Sequence, residues 1–250
     1  MKKNKIYFAS DFHLGSPNLE KSHNRERFII SWLNKIQKDA ESIYLLGDIF
    51  DFWFEYKKVV PKGFVRILGK LSELTDNKIK IYFIPGNHDM WINDYLSKEV
   101  GLSIIKNNTI IQEKNIKLFV SHGDGLENGD FSYKILKMIF NSKLCQWLFS
   151  ILHPNIGIKI AHLWSKKSRE KNKNNNSVKD HDLLIEYCKE QQKLNPVDYY
   201  VFGHKHMPLE KTIDKESKYI CLGDWINHNT YAILQNGSVS LKEYKNNISI

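Results

Sequence analysis

Residues 42–51 read SIYLLGDIFD, an apolar run from Ile43 to Leu46 that stops abruptly at Gly47-Asp48. A run this short and this apolar is the mark of a strand buried on both faces, as in a parallel sheet. The same pattern recurs on either side of it. KIYFA (5–9) is followed by Asp11 and His13, and IKIYFIPG (79–86) by Asn87, His88 and Asp89. Between these runs the apolar residues fall at helical spacing. Phe28, Ile29, Trp32, Leu33 and Ile36 mark one helix between Arg25 and Gln37; Phe64, Ile67, Leu68, Leu71 and Leu74 mark a second, ended by Asp76-Asn77. The order βαβαβ predicts a parallel sheet with ligand groups just past the carboxyl ends of its strands.

Further along, SIIK (103–106), TIIQ (109–112) and IKLFVS (116–121) read as short strands, the last two joined at Glu113-Lys114-Asn115. From Phe131 to Leu163 the pattern is helical and unusually apolar, and the polar tract 165–180 reads as loop or frayed helix. A helix over 181–192 follows. The chain then returns to strands with YYVFGH (199–204), KYICLGD and a hairpin turning at Asn236-Gly237. The expected organisation is one α/β domain, residues 1–125 and 177–250, interrupted by a helical cap over 126–176.

The composition is that of a globular protein, with 42% hydrophobic and 26% charged residues. Its formal charge of +9 admits nucleic acid, an anionic membrane surface or a phosphorylated substrate as partner. Only four of the 37 basic residues are arginines (Arg25, Arg27, Arg66 and Arg169), so a reader of nucleic-acid sequence is disfavoured. No apolar run reaches the ~18–20 residues that span a bilayer, and the amino-terminal residues lack the apolar core of a signal peptide. Cys145, Cys188 and Cys221 are scattered and odd in number, which fits a reducing cytosol better than a disulfide framework.

Five short motifs carry the chemistry: Asp11-Phe12-His13, Gly47-Asp48-Ile49-Phe50-Asp51, Gly86-Asn87-His88-Asp89, Ser121-His122-Gly123-Asp124 and Gly203-His204-Lys205-His206. Each follows an apolar run. Each offers Asp, Asn or His, ligands suited to Mn²⁺, Fe or Zn²⁺. The Asp-x-His and His-x-His spacings put alternate side chains on one side of an extended segment, within reach of one cation. Five of the ten histidines lie in these motifs; His23, His153, His162, His181 and His228 do not, and read as ordinary surface or core residues.

In this order the motifs resemble those of calcineurin-like metallophosphoesterases. The resemblance implies a four-layer α/β/β/α sandwich with two metal ions between the strand ends. It implies that Asp11, His13, Asp48 and His206 hold one metal and Asp48, Asn87, His122 and His204 the other, with Asp48 bridging. Two such cations acidify a shared water for in-line attack on phosphorus and neutralise charge on the phosphoryl oxygens. His88 is then the general acid or a stabiliser of phosphoryl charge, with Asp89 orienting it and keeping it protonated.

The longer stretches DFHLGS, LLGDIFDFWFEY, GNHDMW, SHGDGLENGD, GHKHMPL and LGDWINH are similar to those of the UDP-2,3-diacylglucosamine diphosphatases of lipid A biosynthesis. That resemblance implies hydrolysis of a pyrophosphate bond to UMP and 2,3-diacylglucosamine 1-phosphate, usually with Mn²⁺, by a cytoplasmic enzyme peripheral on the inner membrane. It implies substrate contacts at Asp130, Ser168 and Asn172, with Arg169 and Lys173 close by. The better-known branch of the family has Arg where this chain has His88. The apolar cap agrees with a substrate that carries hydrocarbon tails. Residues 131–180 hold ten Lys or Arg and two Asp or Glu, whereas the other 200 residues hold 27 and 26, so the basic charge is concentrated in the cap. A soluble nucleotide or dinucleoside-polyphosphate hydrolase is the rival enzyme. A non-catalytic scaffold of the same fold is a more distant one.

Overall fold

The computed structural model describes residues 3–106, 108–127, 131–172 and 181–245, without the side chains of 131, 132 and 166–172. The first sheet has the order β11-β10-β1-β2-β3-β4. Its parallel strands are β1 (Lys5–Ala9), β2 (Ala40–Leu45), β3 (Lys80–Phe83) and β4 (Ser103–Ile104). β10 (Thr230–Gln235) runs antiparallel to β1, and β11 (Ser238–Glu243) returns beside it through the Asn236-Gly237 turn. The second sheet has the order β5-β6-β7-β9-β8. Here β6 (Ile116–Ser121), β7 (Tyr199–Phe202) and β9 (Lys218–Cys221) are parallel, while β5 (Thr109–Glu113) and β8 (Leu209–Thr212) form antiparallel edges.

The alternation of side chains along each strand divides the core into three layers. Tyr7, Ala9, Ile43, Leu45, Ile81 and Phe83 face α1 (Leu19–Ile36) and α2 (Val65–Asp76), where Ile29, Trp32, Leu33, Ile67 and Leu71 meet them. The opposite face, with Ile6, Phe8 and Tyr44, packs on Leu118, Val120, Val201 and Ile220 of the second sheet. Phe8, Tyr44 and Tyr82 stack across three strands, with centroids 5.2 and 4.5 Å apart. The second sheet's outer face, with Phe119, Tyr200 and Tyr219, is covered by Leu184, Ile185 and Cys188 of α7 (Asp182–Leu194). The layers are therefore α/β/β/α, as expected.

Among the described residues, three helices come between β6 and α7: α4 (Phe131–Asn141), α5 (Lys143–Ile151) and α6 (Pro154–Asn172). Of the polar tract, expected as loop or frayed helix, residues 165–172 continue α6 and 173–180 lie outside the described residues. The Lys, Arg and Glu residues of this stretch are good helix formers. Helix α1 begins six residues before Arg25, capped by Asn18, whose side chain accepts the Lys21 N–H at 2.9 Å. The short α3 (Tyr95–Lys98) and edge strand β8 carry too few apolar residues to show a period.

Trp32 sits at the centre of the helical face. It is fully buried and in ring contact with Tyr7, Phe12, Trp225 and Tyr231. Trp32→Ala is expected to cost about 3–5 kcal/mol of stability, read as a lower urea midpoint at unchanged slope.

Candidate metal centre

The carboxyl ends of β1, β2 and β3 in one sheet and of β6 and β7 in the other converge on one locus. Asp11, His13, Asp48 and His204 all have positive φ, between 43° and 65°. Such backbone costs a non-glycine residue on the order of 1–3 kcal/mol and persists only where its surroundings enforce it. Here they do. Asp11 N donates to Gly47 O (3.0 Å), His13 N to Asp48 O (2.9 Å) and His204 N to the Asp11 carboxylate (3.1 Å). Gly86 lies so near Asp48 that any Cβ there would collide with its carboxylate.

The seven residues are brought together as a ring of donors. His13 Nε2 and His206 Nε2 lie 3.1 Å apart, each within 3.7 Å of Asp11 Oδ1. Asp48 Oδ2 lies 3.4 Å from His122 Nε2, 3.7 Å from His13 Nε2 and 3.9 Å from His88 Nε2. Asn87 Oδ1 is 3.1 Å from both His122 Nε2 and His204 Nδ1. Asp11 Oδ1 is buried without a hydrogen-bond partner, and two imidazole nitrogens face each other. Lone pairs converging this way lack the donors that buried polar atoms require. Oxygen and imidazole donors in this number fit divalent cations. Asp11, His13 and His206 form one cluster of ligand atoms lying within 4.8 Å of one another, and Asp11, Asp48 and His122 form a second.

The carboxylates of the cluster raise the proton affinity of two of its rings. Burial alone would lower both His13 and His122. The carboxylates of Asp11 and Asp51 outweigh it at His13, and that of Asp48 at His122, pushing each ring up to about 10. His204 is held down to about 3 by burial and by the charge on His122. Asp48 lies well below the usual carboxylate range, because the surrounding histidines overcome its burial.

His88, expected to act on the leaving group, and Asp89, expected to orient it, are placed differently from one another. His88 turns Nε2 toward the centre and Nδ1 toward Asp51 O (2.9 Å) and Ser165 Oγ (3.1 Å). Burial, reinforced by the charge on His13, holds its pKa below the usual value. Asp89 was expected to orient His88. Its carboxylate instead accepts the N–H groups of Gly86 (2.8 Å), Asp48 (3.2 Å), Ile49 (2.8 Å) and Phe50 (3.3 Å), tying the loop after β3 to the loop after β2. Asp51 and Ser165 occupy the orienting position.

Ser168, Arg169 and Asn172 fall on the last turns of α6, where side chains are not described. Asp130 and Lys173 lie outside the described residues. Residues not singled out from the sequence also stand around the centre. Ser165 donates to Asp51 Oδ2 (2.9 Å), and His162 Nδ1 lies 3.9 Å from the same oxygen. Asp224 faces His206 Nδ1 at 3.4 Å and His228 at 3.1 Å. Asp51 and Asp224 did lie within the stretches GDIFD and LGDWINH, again just past strand ends. His162 and Ser165 had no comparable signal, since one lies in an apolar helix and the other opens a polar tract.

Strand-end carboxylates and imidazoles gathered between two sheets define a metal-dependent phosphoesterase. The chain belongs to the calcineurin-like phosphoesterase family, whose sequence profile matches residues 4–208. A relative from Porphyromonas gingivalis, named UDP-2,3-diacylglucosamine hydrolase, is 38% identical over 92% of this chain and 94% of its own. Relatives of the same name from Aliivibrio fischeri (28% identical, 96% of this chain and 99% of the relative) and Actinobacillus succinogenes (27%, 88% and 92%) are more distant.

Two outcomes are expected. A cation must displace the protons on His13 and His122, so Mn²⁺ affinity should rise from pH 6 to pH 9. Calorimetry in buffers of different ionisation enthalpy should show release of about two protons near neutrality. Asp89→Ala strands four buried N–H groups and should lower the stability of the metal-free protein by at least about 3 kcal/mol in urea unfolding. Asp89→Asn, which keeps one acceptor oxygen, should cost less.

Proposed function

We propose that this protein hydrolyses the pyrophosphate bond of UDP-2,3-diacylglucosamine, giving UMP and 2,3-diacylglucosamine 1-phosphate, a step of lipid A biosynthesis. The observation that carries the reading is the set of apolar helices beside a phosphoesterase centre. Leu144, Trp147, Leu148 and Ile151 recur at helical spacing on α5 and are 51–63% exposed. Ile156, Ile160, Leu163 and Trp164 recur likewise on α6 and are 48–61% exposed. A soluble nucleotide has no use for such surface, whereas two acyl chains do. The name of the Porphyromonas gingivalis relative supports the same substrate.

In this reading Asp11, His13, Asp48 and His206 hold one divalent cation and Asp48, Asn87, His122 and His204 the other. Mn²⁺ is the proposed metal, and Fe and Zn²⁺ suit the same donors. The bound pair lowers the pKa of water and offsets charge on the phosphoryl oxygens. The protein's own contribution is placement. Asp48 fixes both halves of the ligand set from one buried position. His88 presents Nε2 to the reacting phosphate; an incoming diphosphate raises its proton affinity, so that it stabilises phosphoryl charge and protonates the leaving oxygen. Ser165 and Asp51 hold that ring from behind. Asp89 keeps the two ligand-bearing loops in register. Residues 126–176 act as the cap that takes the acyl chains, with Asp130, Ser168, Arg169, Asn172 and Lys173 toward the sugar and phosphates.

The cap also supports peripheral binding to the cytoplasmic face of an anionic inner membrane. No described helix is long and apolar enough to cross a membrane, but a basic, apolar surface adsorbs to one.

With detergent-dispersed UDP-2,3-diacylglucosamine and Mn²⁺, UMP release should far exceed the hydrolysis of UDP-sugars lacking acyl chains or of dinucleoside polyphosphates; preference for those soluble compounds would overturn the lipid reading. Asp48→Ala should lose both metal and hydrolysis, about 10³-fold or more, while retaining its circular dichroism spectrum. Trp147→Ser should reduce co-sedimentation with phosphatidylglycerol vesicles, and 0.5 M NaCl should reduce that of the unaltered protein.

A further inference from the structure

His206 enters the centre through Nε2, which lies 3.1 Å from His13 Nε2 and 3.6 Å from Asp11 Oδ1. An imidazole that ligates through Nε2 must carry its proton on Nδ1, and that proton needs an acceptor. The histidines of the centre differ in what faces this nitrogen. His122 Nδ1 faces a backbone carbonyl, Leu46 O, at 2.8 Å. His13 Nδ1 faces Asp51 Oδ1 at 3.6 Å. His206 Nδ1 faces Asp224 Oδ2 at 3.4 Å.

Asp224 is fully buried, and four further donors fix its carboxylate. Oδ1 accepts Asn227 N (2.9 Å), His228 N (3.1 Å) and His228 Nδ1 (3.1 Å), and Oδ2 accepts Asn227 Nδ2 (3.2 Å). The next residue ties this loop to the first ligand loop, since Trp225 N donates to Asp11 O at 3.1 Å. The Trp225 ring is itself locked against Trp32 and Phe12. A carboxylate this constrained cannot swing to follow a mobile ring; the ring must conform to it. His206 is 27% exposed at the rim of the centre, so this contact decides how it is held.

We propose that Asp224 is a positioning residue for His206, fixing its tautomer and ring plane so that Nε2 is delivered to the cation shared with Asp11 and His13. The proposal rests on the dimetal reading above. It makes the GD pair after β9 a functional counterpart of those after β2 and β6, acting one bond further from the reaction. Carboxylate–histidine–metal arrays of this kind contribute about 10–100-fold to metal affinity.

The test is Asp224→Asn. Its side-chain oxygen can still accept the N–H groups of Asn227 and His228, but its amide then offers His206 a donor in place of an acceptor and favours the wrong tautomer. Chelator-stripped protein is titrated with Mn²⁺, and free Mn²⁺ is followed by electron paramagnetic resonance. One of two equivalents should weaken about 10–100-fold, the other should not, and the unfolding midpoint of the metal-free protein should barely move. In a His206→Ala background the same substitution should have no further effect on metal binding. If the variant does not fold, long-range ¹H–¹⁵N spectra of the Zn²⁺-loaded unaltered protein read the tautomer directly, and His206 should carry its proton on Nδ1. Two equivalents binding D224N with unchanged affinity, or a His206 proton on Nε2, overturns the role of Asp224 alone. An unaltered protein that takes up no Mn²⁺ overturns the dimetal reading as well.

Discussion

A single buried carboxylate constrains most of what surrounds it. Asp48 stands at the end of β2 with a φ of 54°, its Oδ2 facing three histidines borne by the loops after three different strands. Its Oδ1 accepts His88 N at 2.9 Å, so the same side chain fixes the loop that carries His88. Isolated charge at this depth is untenable. The fold answers by bringing opposite charge from both sheets, which requires that the two sheets meet with their parallel strand ends aligned. The glycines before Asp48 and Asn87, the four residues of positive φ and the Asp89 staple all serve that alignment. Cations and protons are then alternative tenants of the same electrostatic well, which is why the protonated state of His13 and His122 bears directly on metal loading.

The motif aspartates outside the proposed ligand set, Asp51 and Asp124, have a second task. Asp51 takes Ser165 of α6, and Asp124 takes Tyr133 Oη (2.7 Å) and Lys137 Nζ (2.6 Å) of α4. Between them Phe149 of α5 seats among Phe52, Phe54 and Trp91, and Trp91 Nε1 donates to Phe140 O at 2.7 Å. The cap is therefore fastened to the loops that build the centre. Ser165 touches Asp51 and His88 at once, so displacing α6 necessarily disturbs the His88 ring. Under the proposed function, substrate capture and catalytic geometry are mechanically linked.

The sequence made the sandwich legible because strands buried on both faces have a composition of their own, and because every expected ligand position follows such a strand by one to four residues. Asp11 and His13 could be paired from spacing alone. Asp89 could not be placed, because a carboxylate beside a histidine in sequence points elsewhere once the chain turns, and its four backbone partners come from residues both adjacent and some 40 positions away. Asp51 and Asp224 were visible as motif letters, yet their roles depend on which face of a loop each occupies. His162 and Ser165 were illegible for a different reason. A helix brings residues three apart to the same face, but nothing in its period tells what that face will meet.

The cap's outer face completes the argument about substrate. Phe149 accounts for the inward side of α5, and none of that helix's residues is buried. Leu144, Trp147, Leu148 and Ile151 thus remain in water, where their exposure forgoes on the order of 3–6 kcal/mol of burial free energy. A lid needed only to exclude solvent would place Lys and Glu at those positions without loss. This segment supplies lysines in abundance but almost no acids, with Lys134, Lys143 and Lys159 on the same three helices as the apolar stripes. Cationic, apolar surface answers a partner that is anionic and apolar together. The proposed substrate, a diphosphate bearing two acyl chains, has that character, and so does an anionic leaflet; in that proposal one surface serves both extraction and binding.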